Sequence, residues 1–191
     1  MNTVTWQDAL ERLRVGNERF VADKVDGQLQ DSQRRETLTD GQDPFAIILS
    51  CADSRVVPEF AFDTGLGELF VIRVAGNVAN VSTIASIEYA VANLGVQLIL
   101  VMGHESCGAI TAAIDGGDAG KNLNHLLEHI NPAIEAAATK SVNTVVKKNA
   151  LLTAKELVAN SEIIKNAVKN NNVKLKSAYY NLGSGAVDFL D

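Results

Sequence analysis

The chain has 191 residues, 47% of them hydrophobic, with 17 Lys and Arg against 23 Asp and Glu and a formal charge of −6. A chain of this length buries roughly 70% of the surface its unfolded form exposes, so one domain can be stable without disulfides. The acidic balance offers no basic face for phosphates, which argues against general nucleic-acid binding. No apolar run reaches the ~18 residues of a membrane span, and no charged region followed by an apolar stretch opens the chain, so the cytoplasm is the expected compartment. A periplasmic precursor that has lost its leader is compatible with the same sequence.

Residues 5–21 place Leu10, Leu13 and Phe20 at helical spacing, and Thr5 with Asp8 three residues on predicts a capped helix start. The polar stretch 23–44, punctuated by Gly27, Gly41 and Pro44, extends this as a partly helical arm, packed on its own domain or on a partner subunit. Phe45–Cys51 is a continuous apolar run, as expected of a strand covered on both faces, and Leu69–Val74 is a second. Residues 82–94 read as a helix, with Ser82 as N-cap and Gly95 as stop. Gln97–Met102 is a third buried strand, ended by Gly103. Helical patterns follow over Cys107–Ile114, 122–138 and 142–170, the last closing in Asn170-Asn171-Asn172. The segments VKLKSAYYN, LGSG and AVDFLD then predict a strand, a turn and a second strand, hence a hairpin.

Strands alternating with helices predict a single α/β domain over 1–191. Its α/β core (45–191) has a central four-stranded parallel sheet with an added antiparallel C-terminal strand, flanked by helices, and 1–44 form an N-terminal helical arm. In such a sheet ligands bind beyond the carboxyl ends of the strands. Both cysteines fall there: Cys51 ends the first strand, and His104 and Cys107 follow the third. If those strands are neighbours, two thiolates and one imidazole converge on one point. Zinc accepts this set, and three protein ligands leave a fourth position open for catalysis. The His-x-x-Cys spacing alone is weakly specific. Asp53 and Arg55, two and four residues past the first cysteine, make the pattern far more so.

The competing reading is two buried thiols and a satisfied loop histidine. A redox pair lacks the Cys-x-x-Cys spacing, and a phosphate-binding cysteine loop fits poorly, because Cys51 reaches Arg55 with no glycine between. The other two histidines stand in His125-Leu126-Leu127-Glu128-His129. Spacing of i, i+4 on a helix can bind zinc, but no glutamate follows the first histidine as in the metalloprotease pattern, and such pairs more often form a polar helix face.

Cys51-x-Asp53-x-Arg55 with His104-x-x-Cys107 resembles the defining motif of β-class carbonic anhydrases. The likeness extends through Gly16-Asn17-Glu18-Arg19-Phe20, Gly67-Glu68-Leu69-Phe70-Val71, Ile87-Glu88-Tyr89-Ala90 and Tyr179-Tyr180. The resemblance implies reversible hydration of carbon dioxide to bicarbonate and a proton, with one zinc per chain held by Cys51, His104 and Cys107. It implies Asp53 and Arg55 as a catalytic dyad, and a homodimer or homotetramer with active sites at the dimer interface. Gln42 matches a substrate-bonding glutamine of the plant-like subgroup, nine residues before the first cysteine. By the same matching Phe70, Ala75 and Tyr89 would line the pocket and the Gly108 amide would face bicarbonate, some of these coming from the partner subunit. Two departures stand out. Arg73-Val74-Ala75-Gly76-Asn77 replaces the Arg-Asn-Val-Ala-Asn of many members, which implies a smaller pocket wall. Ile48 replaces the tryptophan of the subgroup that bicarbonate inhibits at a second site, which argues against that regulation.

The nucleophile implied is zinc-bound hydroxide. Two thiolates cancel the ion's charge, so the pKa of its water is expected above the ~7 of a tri-histidine site, with activity rising toward alkaline pH. Asp53 would accept a hydrogen bond from that hydroxide while Arg55 keeps Asp53 ionised; a structural salt bridge is the alternative for this pair. If the pair broke, Asp53 could itself take the fourth zinc position. Hydrolysis of carbonyl sulfide or carbon disulfide on the same site stays open as a rival. So does a non-enzymatic zinc-binding scaffold, against which Gln42, Asp53 and Arg55 together weigh.

Overall fold

Helix α1 (Trp6–Val21) starts where the Thr5 hydroxyl accepts a 3.2 Å hydrogen bond from the Asp8 amide, as the spacing predicts. The computed structural model describes residues 4–170 and 172–191; Met1–Thr3 and Asn171, within the polar stretch expected to close the last helical pattern, lie outside the described residues. The inner face of α1 carries Ala9, Leu13, Gly16 and Asn17, all buried against the chain's own core. Gly16 is required there, since a Cβ would fall 1.9 Å from the Phe62 carbonyl oxygen. Asn17 donates to the carbonyls of Ala61 and Gly185 and accepts from the Val187 amide, so it ties the helix to two distant segments. The inner face of α1 is thus packed within its own chain. Beyond it, only α2 (Ser32–Thr37) is helical, and it buries nothing.

The sheet follows the expected plan. Strands β1 (Ala46–Ser50), β2 (Leu69–Arg73), β3 (Leu98–His104), β4 (Lys174–Tyr180) and β5 (Val187–Phe189) lie in the order β2-β1-β3-β4-β5. The first four are parallel and β5 is antiparallel to β4. Every residue of β1 and β3 is buried, whereas edge strand β2 is only half-buried. Alternate residues of a strand face opposite layers. Ile48, Leu98, Leu100 and Met102 therefore meet α1 and Phe62 on one side. Ile47, Leu49, Ile99 and Val101 meet helices on the other. Burial on both faces explains the unbroken apolar runs, each large side chain contributing roughly 1.5–3 kcal/mol.

Helix α3 (Pro58–Ala61) follows β1, and helix α4 (Val81–Asn93) follows β2. The cap of α4 is Asn80 rather than Ser82: Asn80 accepts from the Thr83 amide at 3.0 Å, and Thr83 Oγ1 accepts from the Asn80 amide at 2.9 Å. This reciprocal pair satisfies two amides at once, which Ser82 alone could not match. Gly95 stops the helix as expected, at φ +69°.

Strand β3 runs two residues past its expected end, because Gly103 and His104 pair with Tyr179 and Tyr180 of β4. Gly103 is there for close packing rather than termination. A Cβ would sit 2.7 Å from Val146 Cγ1 on the long helix that crosses this strand. Helix α5 (Gly108–Asp115) comes next. The pattern over 122–138 divides into α6 (Lys121–Glu128) and α7 (Asn131–Ala136), with Pro132 in the first turn of the second. The pattern over 142–170 divides into α8 (Val142–Ala159) and α9 (Glu162–Lys169), where Ser161 caps the second. Among the described residues no helix is long and apolar enough to cross a membrane.

Candidate metal centre

Parallel pairing of β1 with β3 aligns Ser50 with Met102, so Cys51 comes level with Gly103, beside the end of β3 at His104. Cys51 is the first residue beyond β1, His104 the last of β3, and Cys107 the N-cap of α5. All three are buried, with their ligating atoms within 4.8 Å of one another. The sulfurs lie 3.9 Å apart. Two thiolates bound tetrahedrally at the usual ~2.3 Å would be about 3.8 Å apart, so the spacing suits a single ion.

His104 Nδ1 lies 2.8 Å from the Glu105 carbonyl oxygen, which can only accept. The ring proton therefore sits on Nδ1, and Nε2 keeps a free lone pair, the arrangement typical of a ligating histidine. Nε2 is buried and, among the described residues, has no hydrogen-bond partner. The nearest carboxylate oxygen, Asp53 Oδ2, is 3.8 Å away and too far for a hydrogen bond. A satisfied loop histidine would not leave this atom orphaned, and its free lone pair is open to a metal ion.

The thiols are tuned together. A hydrogen bond from Cys107 is the largest influence holding Cys51 well below the ordinary thiol range; burial opposes it, and the Gly76 amide assists. The same shared proton, with burial, pushes Cys107 upward. The Gly76 amide stands 3.4 Å from Cys51 Sγ, in a backbone conformation (φ +71°) suited to glycine. Asn149, buried on α8, donates 2.8 Å to the Gly76 carbonyl and holds that orientation.

Asp53 and Arg55 form a two-pronged pair, Nε to Oδ1 at 2.9 Å and Nη2 to Oδ2 at 2.7 Å, and the Arg55 amide adds 3.0 Å to Oδ1. The Arg55 side chain chiefly, against burial, holds Asp53 far below the usual carboxylate range. Arg55 Nη2 also approaches the Ser106 carbonyl at 3.4 Å, joining the pair to the loop between His104 and Cys107. In that loop Ser106 adopts φ +52° and donates its amide to Asn143 Oδ1.

Two supporting residues escaped the sequence reading. Arg73 donates 3.1 Å to the Cys51 carbonyl and 2.6 Å to the Asp53 carbonyl, clamping both ends of the turn that carries them. Its signal was a single charge at the end of the apolar run LFVIR. The signal for Asn149 was an amide interrupting the buried face of a helix.

The expected pocket residues divide into two groups. Ala75 adjoins Gly76 at the cluster, and Gly108 opens α5 directly after Cys107. Phe70 and Tyr89 instead meet each other, with ring centres 6.3 Å apart. The Val74 amide bonds the Ser50 carbonyl, so Phe70 lies four residues, about 13 Å, back along the strand from the level of the cluster. Gln42 precedes the start of β1, which lies about 17 Å of strand from Cys51. One chain thus gathers Cys51, His104, Cys107, Asp53, Arg55, Ala75 and Gly108, but not Gln42, Phe70 or Tyr89. Cavities of about 440 and 770 Å³ lie along the arm and are not lined by the cluster.

Comparison with known proteins follows this geometry. The carbonic anhydrase family model matches residues 46–187. Carbonic anhydrase 2 of Mycobacterium tuberculosis is 37% identical over 184 residues, covering 93% of this chain and 89% of the relative. The carbonic anhydrase of Mycolicibacterium smegmatis is 35% identical over 187 residues, covering 94% and 91%. The solved Coccomyxa β-carbonic anhydrase in complex with acetazolamide superposes with a TM-score of 0.76 at 26% identity, covering 98% of this chain and 87% of that one. One of two tetrameric β-carbonic anhydrases from Sordaria macrospora shares the fold, with a TM-score of 0.75 at 22% identity over 96% and 97%. With the sheet order, the clustered cysteines and histidine, and relatives aligned over nearly its whole length, this chain belongs to the β-carbonic anhydrase family and is a carbonic anhydrase.

Proposed function

We propose that this carbonic anhydrase hydrates carbon dioxide reversibly at one zinc ion held by Cys51, His104 and Cys107, with Asp53 and Arg55 as its catalytic dyad. The observation that carries this reading is the orphaned, buried Nε2 of His104 beside two sulfurs 3.9 Å apart. Zinc bound there would supply a water acidic enough to act as a nucleophile near neutral pH.

The chain's own groups supply the orientation. Asp53 is ionised and can only accept hydrogen bonds, and its Oδ2 is the oxygen nearer His104 Nε2. It would therefore accept a hydrogen bond from the remaining O–H of the nucleophile, which would direct the attacking lone pair away from Asp53. Arg55 occupies both carboxylate oxygens, which keeps Asp53 from protonating or swinging onto the metal. The Gly108 amide belongs to the first turn of α5, where amides lack intrahelical acceptors and favour a developing anion such as bicarbonate. Gln42, Phe70 and Tyr89 complete the pocket from a partner subunit. Support comes from the half-buried edge strand β2 and the half-exposed ring of Tyr89.

The test pairs metal analysis with stopped-flow hydration at about pH 8.5, above the ionisation expected near or above pH 7. One zinc per chain, with rapid hydration lost in Cys107→Ala together with the zinc, is the expected result. Zinc without hydration, but with turnover of carbonyl sulfide, would move the substrate assignment.

A further inference from the structure

Of the chain's three histidines, two have no part in the centre above. His125 lies in the last turn of α6 and His129 is its C-cap, so the i, i+4 spacing sets both on one face. Their ring centres are 5.4 Å apart with planes at 71°. A metal about 2.1 Å from an imidazole nitrogen lies about 3.2 Å from the ring centre, so two rings sharing one ion have centres about 4.5–5.2 Å apart. The observed pair is a small side-chain rotation from that range, and His125 is exposed and free to make it.

Acidic groups approach from two elements. Glu128 Oε2 is 3.6 Å from His125 Nδ1. Glu156, half-buried on α8, has its carboxyl raised by burial, with His129 near enough to oppose that rise. A cavity of about 340 Å³ lined by Asn80, Ser82, Asn122, His125 and His129 adjoins the pair, with room for water ligands and amide or hydroxyl oxygens. Imidazole nitrogens with carboxylate and water oxygens suit nickel, copper or zinc. Among the described residues only Cys51, His104 and Cys107 gather three ligating side chains closely, so this pair would hold an ion in an open, exchangeable way.

We propose that His125 and His129 form a second divalent transition-metal site on α6, independent of the Cys51–His104–Cys107 centre. The experiment titrates the zinc-loaded protein with Ni²⁺, following heat of binding, zinc retained and thermal midpoint. One nickel bound per chain with zinc unchanged is expected. The midpoint should rise with nickel concentration, as for any ligand that binds only the folded chain. His125→Ala and His129→Ala should each lose both the binding and the rise, while carbon dioxide hydration and the nickel-free midpoint stay as in the parent. No nickel beyond that exchanged for zinc, or uptake that persists in both variants, would overturn the site.

Discussion

Asn149 and Gly76, 73 positions apart in the chain, are joined by a 2.8 Å hydrogen bond whose consequence is felt at Cys51. The bond anchors the Gly76 carbonyl, and the amide of the same residue faces Cys51 Sγ. Asn149→Leu leaves a buried carbonyl without its donor, a loss of about 1–3 kcal/mol in urea unfolding. Outer partners of metal ligands are worth about 10–100-fold in metal affinity. Zinc competition with a chelator should therefore show a loss in that range, which a purely structural role would not produce. Asn149→Asp keeps the shape, removes the donor and should weaken zinc similarly.

The Asp53–Arg55 pair makes a separate prediction, because its geometry rather than its charge is at stake. Arg55→Lys retains a cation but cannot grip both carboxylate oxygens. Hydration should fall by about 100-fold, the order expected from a misplaced orienting group, with zinc content unchanged. Asp53→Ala should fall at least as far while still holding zinc. Unaltered turnover in either variant would reduce the pair to a structural salt bridge.

Asp63 anchors the arm and sets its acid sensitivity. Burial works to raise its carboxyl, but the amides of Asp26 and Gly27 and the Arg19 guanidinium outweigh this, leaving it below the ordinary value. A depressed folded pKa contributes stability above the unfolded value of ~3.9 that is lost as pH falls through the folded value. Asp63→Asn, tolerated at the native φ of +46°, should cost about 1–2 kcal/mol at neutral pH, the scale of a charged hydrogen bond. It should also flatten the acid limb of the stability curve below about pH 4. Equal pH slopes for parent and variant would remove Asp63 from the acid response.

Periodicity carried the sheet, because β1 and β3 are buried on both faces and leave unbroken apolar runs. It failed where tertiary packing outweighs local signals. Gly103 reads as a stop, yet it is a strand residue emptied of its side chain so that α8 can approach. Ser82 reads as a cap, yet Asn80 and Thr83 form the reciprocal pair. At the site, the clustering of Cys51, His104 and Cys107 and the pairing of Asp53 with Arg55 were legible because these residues sit at strand ends with fixed short spacings. Arg73 and Asn149 were not, since each acts on backbone brought near only by folding.

That division within one chain leads to the sharpest test of assembly. Gln42 and the cluster lie at opposite ends of β1, so a Gln42 that serves catalysis must serve the partner's zinc. Gln42→Ala should impair hydration while retaining zinc, and Cys107→Ala should lose zinc with its Gln42 intact. In a two-fold dimer, a mixed pair would combine the zinc of the first variant with the glutamine of the second. One complete site would then form in each mixed dimer. Random reassociation of the two inactive proteins should restore about a quarter of parental activity, since half the dimers are mixed and each has one working site of two. If Gln42 instead folded back onto its own centre, the mixture would stay as inactive as its components, and the pocket would be built from one subunit alone.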